Sequence, residues 1–145
     1  MSEYPDGAEG AKTPERQGNA NGKLILIVED DRLSMTLLSD FLHAHEYRVL
    51  KTSEGLEAIN FARDEQPDLI LMDIRLPGIS GFDVTRLLKQ DNRTRAIPVI
   101  AVTAFATPGD ETKALESGCA AYITKPVNVD ELLRTVESFL PFSSS

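Results

Sequence analysis

At 145 residues the chain has room for one domain with a real core, and its 41% hydrophobic and 26% charged content is that of a soluble globular protein. The longest aliphatic run, Leu24-Ile25-Leu26-Ile27-Val28, is far short of the ~20 residues that cross a bilayer; the first residues lack a signal-peptide pattern, and the single Cys119 excludes an internal disulfide. A cytoplasmic protein with no membrane partner is expected, and the net charge of −8 makes nucleic acid a poor partner.

Residues 1–22 hold four acids, two bases and almost nothing apolar, so a disordered N-terminal tail is expected there. Residues 141–145 are expected to form a fraying C-terminal tail. Between them, over 23–140, strand and helix patterns alternate. Strands are predicted at 23–28, 47–51, 68–73, 97–102 and 120–124. A helix over 32–44 follows from the spacing of Leu33, Leu37, Leu38, Phe41 and Leu42, with Asp31 in position to cap it. Leu56, Ile59 and Ala62 mark a weaker helix over 54–65. Further helices are predicted over 81–90 and over 109–117, the latter closed by Gly118. In the last, Val129, Leu132, Leu133, Val136 and Leu140 share one face behind an Asn128/Glu131 capping box. The apolar helix faces are read as core, Cys119 as a small core residue, and His43 and His45 as a solvated pair at a helix C-terminus. Five βα units in succession predict an α/β fold, a doubly wound five-stranded parallel sheet covered on both faces.

The strand ends carry the chemistry. The first strand runs into Glu29-Asp30-Asp31, the third ends in Asp73, the fourth runs into Thr103 and the fifth into Lys125-Pro126. In an open parallel sheet such groups meet in the crevice at the carboxyl edge. Carboxylates about 5 Å apart repel by roughly 3 kcal/mol per pair at an effective dielectric of 20, so they raise one another's pKa or bind a cation. All-oxygen ligands suit Mg²⁺, which keeps several waters and commonly takes a phosphate substrate. Lys125 and Thr103 are suited to hold that phosphate, and an Asp beside Mg²⁺ can itself become an aspartyl-phosphate.

The segment from Lys23 to Phe139 resembles the receiver domain of two-component response regulators. The resemblance rests on Val28-Glu29-Asp30-Asp31, Asp68 through Pro77, Ala101-Val102-Thr103-Ala104 and Lys125-Pro126, with 43, 30 and 22 residues separating Asp30, Asp73, Thr103 and Lys125. Ile97 to Ala106 and the lone-domain layout are similar to single-domain cell-cycle regulators of the DivK type. The resemblance implies a flavodoxin-like sheet in the order 2-1-3-4-5. It implies that Asp73 accepts a phosphoryl group from a histidine kinase or histidine phosphotransfer protein. It implies that Glu29, Asp30, Asp73 and the backbone carbonyl of Arg75 hold Mg²⁺, and that Thr103 and Lys125 bind the phosphoryl oxygens. It also implies a cis peptide before Pro126. Thr103 and Tyr122 would be the switch pair, biasing the fourth helix, fifth strand and fifth helix. Output would pass to a downstream effector protein or a regulated kinase. Arg75 and Phe105 stand at positions that flank the water path in the family, so bulky groups there imply a slow loss of phosphate.

Each residue has a plainer rival. Asp73 could be a strand-end turn residue, Asp31 a helix cap, Thr103 a β-favouring residue, Lys125 a solvated lysine and Tyr122 a core tyrosine. Two other functions compete. A Mg²⁺-dependent phosphatase with an aspartate nucleophile typically carries a second acid two residues on, and positions 32 and 75 are both arginine. A pseudo-receiver adaptor that works without phosphate does not need the full set of Glu29, Asp30, Asp73, Thr103 and Lys125.

Overall fold

The computed structural model describes residues 22–104 and 107–140. In chain order these form β1 (Leu24–Val28), α1 (Arg32–Ala44), β2 (Arg48–Thr52), α2 (Gly55–Glu65), β3 (Leu69–Asp73), α3 (Gly81–Gln90), β4 (Val99–Thr103), α4 (Pro108–Ser117), β5 (Ala121–Thr124) and α5 (Val129–Phe139). All four strand pairs are parallel and the order is β2-β1-β3-β4-β5, as expected. Residues 1–21 and 141–145 of the expected tails, and Phe105, lie outside the described residues. No helix among the described residues is long and apolar enough to cross a membrane.

The burial of each strand explains its sequence. β1, β3 and β4 are buried at every position, which is why they read as unbroken apolar runs. The edge strands β2 and β5 are only partly covered and carry Lys51 and Thr124 on exposed positions. Successive side chains alternate between two apolar layers. Ile25, Ile27, Leu71 and Ile100 pack on α1 and α5 through Leu38, Leu42, Leu132 and Val136. Leu26, Ile70, Met72 and Ala101 pack on α2, α3 and α4 through Ala58, Ala62, Val84, Leu88 and Ala114.

The helix ends follow local chemistry. Asp31 caps α1 by accepting from Ser34 N at 2.8 Å, and Asn128 caps α5 by accepting from Glu131 N at 3.0 Å. Gly118 ends α4 at φ 109°, where a side chain would be strained. Gly81 opens α3 so close to β3 that an added Cβ would lie 2.8 Å from the Ile74 Cα, which brings the helix directly behind Asp73.

Two expectations are corrected. Leu33, Leu37 and Leu56 are 68%, 62% and 63% exposed, not core. At about 100° per residue, Leu37 and Leu33 lie roughly 100° and 140° around α1 from buried Leu38, so they stand beyond the packed stripe. His45 is also not simply solvated, since its ring lies 4.7 Å from that of Phe41.

Candidate functional site

The strand register assembles the site. Val28 pairs with Met72, so Glu29 and Asp73 continue side by side beyond that pair, where the chain order switches direction. Asp73 pairs with Val102, and Thr103 pairs with Thr124, so Lys125 is the next residue along. The Lys125 N–H donates to the Thr103 carbonyl at 2.7 Å, which ties the start of the β5–α5 connection to β4. The peptide from Lys125 to Pro126 is cis, as expected.

Glu29 is 2% exposed. Its Oε2 accepts from Asp31 N at 2.9 Å, and its Oε1 lies 2.9 Å from Lys125 Nζ. Asp73 is 6% exposed, with Oδ1 accepting from Arg75 N at 3.1 Å and Oδ2 lying 3.8 Å from Lys125 Nζ. Burial pushes the Asp73 carboxyl up to about 6, and the neighbouring Glu29 carboxylate adds to this. The Arg75 N–H and the Lys125 ammonium oppose the rise without cancelling it. Thr103 is buried at the end of β4. Six of the expected residues are thus placed at one edge, but not equally. Asp30 and Arg75 are exposed at the rim, so the expected triple acid cluster is an inner pair, Glu29 and Asp73, with Asp30 outside it.

Among the described residues no three His, Cys, Asp or Glu side chains form a ready-made metal cage. The donors still fit Mg²⁺. Two buried carboxylates, an acid at the rim and the chain carbonyl after β3 are hard oxygen donors. An ion there would complete its shell with water and substrate oxygens, which is the habit of Mg²⁺. Burial first, and the facing Glu29 carboxylate second, disfavour the charged form of Asp73, and a cation bound there would favour it.

Tyr122 lies on β5, half-buried against the layer that holds α2, α3 and α4. Its phenol is pushed up by burial first and then by Asp110 and Glu111. Sequence reasoning missed a groove of about 740 Å³ between α1 and α5, lined by Leu37, Phe41, Lys125, Pro126, Val129 and Leu132 among others. Its sequence signal was available in the leucines of α1, which are too many for one packed stripe.

Comparison with known proteins matches residues 25–137 to the response regulator receiver domain. The polar-differentiation response regulators DivK of Brucella anthropi and Brucella ovis are each 51% identical over 118 residues, which cover 81% of this chain and 96% of theirs. The receiver domain of the sensor histidine kinase PA1611 from Pseudomonas aeruginosa PAO1 has a similar structure. It shows a TM-score of 0.77 and 35% identity over 82% of this chain and 98% of that one, and is described with a magnesium ion coordinated in its active-site cleft. The chemotaxis protein CheY4 of Vibrio cholerae, at 24% identity and a TM-score of 0.77 over 81% of this chain and 98% of that one, shares the fold. Sheet order, family match and DivK likeness agree, and the chain belongs to the response regulator receiver domains of two-component signalling.

Proposed function

We propose that this chain is a phosphorylation-switched binding module. It takes a phosphoryl group onto Asp73 from a histidine kinase or histidine phosphotransfer protein and signals by changing which proteins it binds. The observation that carries this reading is the buried Glu29–Asp73 pair with Lys125 set against both, 2.9 Å from one and 3.8 Å from the other.

An Asp73 oxygen attacks phosphorus, the P–N bond of the phosphohistidine breaks, and the imidazole leaves with that electron pair and takes up a proton. Asp73 reacts as the carboxylate, and a carboxyl held at about 6 is mostly ionised at pH 7. Glu29, Asp30, Asp73 and the Arg75 carbonyl would hold Mg²⁺, which supplies charge neutralisation at the phosphoryl oxygens. Lys125 would turn from the acid pair toward the incoming anion, and Thr103 would donate its hydroxyl to it. Thr103 and Tyr122 then bias α4, β5 and α5 toward the form that a downstream effector or regulated kinase binds. The chain's own chemistry is its phosphorylation and dephosphorylation, not turnover of a separate substrate.

The α1–α5 groove is the face on which the donor protein would sit. Lys125 lines both the groove and the acid pair, so a partner held there brings its phosphohistidine to Asp73. Incubation with radiolabelled acetyl phosphate or a phosphorylated kinase, with Mg²⁺, is expected to label the wild type. Labelling that survives Asp73→Asn or persists in chelator refutes the reading. Leu37→Asp is expected to slow transfer from the protein donor by about tenfold or more and to leave acetyl phosphate labelling unchanged. Equal slowing with both donors would remove the groove from the proposal.

A further inference from the structure

We propose that Thr52 and Glu57, which lie on the far side of β1 from Asp73, are positioning residues for Glu29 as a metal ligand. This rests on the Mg²⁺ reading above.

Glu29 must present its carboxylate inward at the point where the chain turns from strand to helix. Its N–H donates to the Thr52 carbonyl at 3.0 Å, one residue beyond the last β1–β2 pair, Val28 with Thr52. Thr52 ends an edge strand yet is 5% exposed, against an exposed Lys51 before it and an exposed Ser53 after it. Two bonds hold it there. The Thr52 hydroxyl donates to a carboxylate oxygen of Glu57, and accepts the N–H of Glu54 at 3.1 Å. The bond to Glu57 is charge-assisted and fixes the Thr52 rotamer. A line of hydrogen bonds therefore runs from the first turn of α2, through the end of β2, to the backbone of Glu29. On the other side of Glu29 its carboxylate accepts from Asp31 N through Oε2 and forms an ion pair with Lys125 through Oε1. Glu29 is fixed at both ends, and Thr52 with Glu57 is the end remote from the phosphoryl pocket.

A plainer role exists. Glu57 stands in the first turn of α2, where a carboxylate favours the helix dipole. That role accounts for an acid at this position and predicts an effect on stability alone. It does not call for a bond to the buried threonine whose carbonyl carries Glu29.

The experiment compares wild type, Thr52→Val, Thr52→Ser, Glu57→Ala and Asp30→Asn. Titration calorimetry gives the Mg²⁺ dissociation constant, and urea unfolding gives stability. Binding is measured at a temperature where each variant is folded, so lost stability alone does not move it. Thr52→Val and Glu57→Ala are expected to weaken Mg²⁺ about 3–10-fold, less than the ~10–100-fold loss for a direct outer-shell partner. Thr52→Ser, which keeps the hydroxyl, is expected to bind like wild type. If Thr52→Val does not fold, Glu57→Ala carries the test, because Glu57 is exposed. Lower stability with unchanged Mg²⁺ affinity in Glu57→Ala overturns the proposal and leaves a helix cap. Mg²⁺ binding undiminished in Asp30→Asn instead overturns the metal reading itself, and the positioning role falls with it.

Discussion

Replacing Asp73 with asparagine is expected to stabilise the metal-free fold, even though it removes the proposed phosphoacceptor. The Asp73 carboxyl sits at about 6 instead of its ordinary 3.8, chiefly because it is buried and faces Glu29. The folded chain therefore binds more protons than the unfolded chain between those values, and stability falls as pH rises through that window. Above about pH 6 the full penalty is present, on the order of 3 kcal/mol; below about pH 4 it is absent. Asparagine keeps an oxygen to accept the Arg75 N–H and removes the charge. Lys125 is not orphaned, because Glu29 stays 2.9 Å away. Urea unfolding in chelator from about pH 4 to about pH 8 measures the difference between the two proteins. The variant is expected to gain over the wild type as pH rises, reaching about 1–3 kcal/mol, with the two converging near pH 4. Adding Mg²⁺ is expected to stabilise the wild type and shrink the gap. A variant no more stable than wild type at neutral pH without metal, or a gap that persists unchanged at pH 4, refutes the reasoning.

Gly81→Ala is expected to cost about 1–3 kcal/mol or more, because its Cβ would meet the Asp73 carbonyl and the Ile74 Cα, both parts of the backbone; an unchanged melting temperature refutes this. Tyr47 is 2% exposed and its hydroxyl has no hydrogen-bond partner among the described residues. Tyr47→Phe is therefore expected to raise stability by about 1 kcal/mol, and a lower urea midpoint would count against it. Cys119 is buried, with its thiol pushed up by that burial. An aromatic disulfide reagent is expected to modify it only after unfolding, and rapid reaction of the native protein at mildly alkaline pH would show otherwise.

The fold was legible because β1, β3 and β4 are buried on both faces and so have no polar positions to blur them. The site was legible because a parallel sheet puts every strand's carboxyl end on one edge. Composition could not separate neighbours within a motif. Glu29 and Asp30 are adjacent acids, yet one is buried and the other stands at the rim, and only the backbone direction after β1 decides which turns inward. The leucines of α1 signal an apolar excess without saying which of them the sheet leaves uncovered. Leu37 and Leu38 are the same residue type on one turn, and their fates differ by the angle each makes with the sheet. The bond from Thr52 to Glu57 depends on how β2 ends against β1, a long-range fact absent from local spacing.

The wide separation of Glu29 and Lys125 along the chain has a consequence for the life of the molecule in a cell. These two groups touch at 2.9 Å, yet one follows the first strand and the other the last. A protease cut that releases the C-terminal end strips the acid pair of its cation, and one that releases the N-terminal end leaves Lys125 with Asp73 alone, 3.8 Å away. On the function proposed above, a fragment lacking either end is expected to take up no phosphoryl group, so the switch ends with the intact sheet.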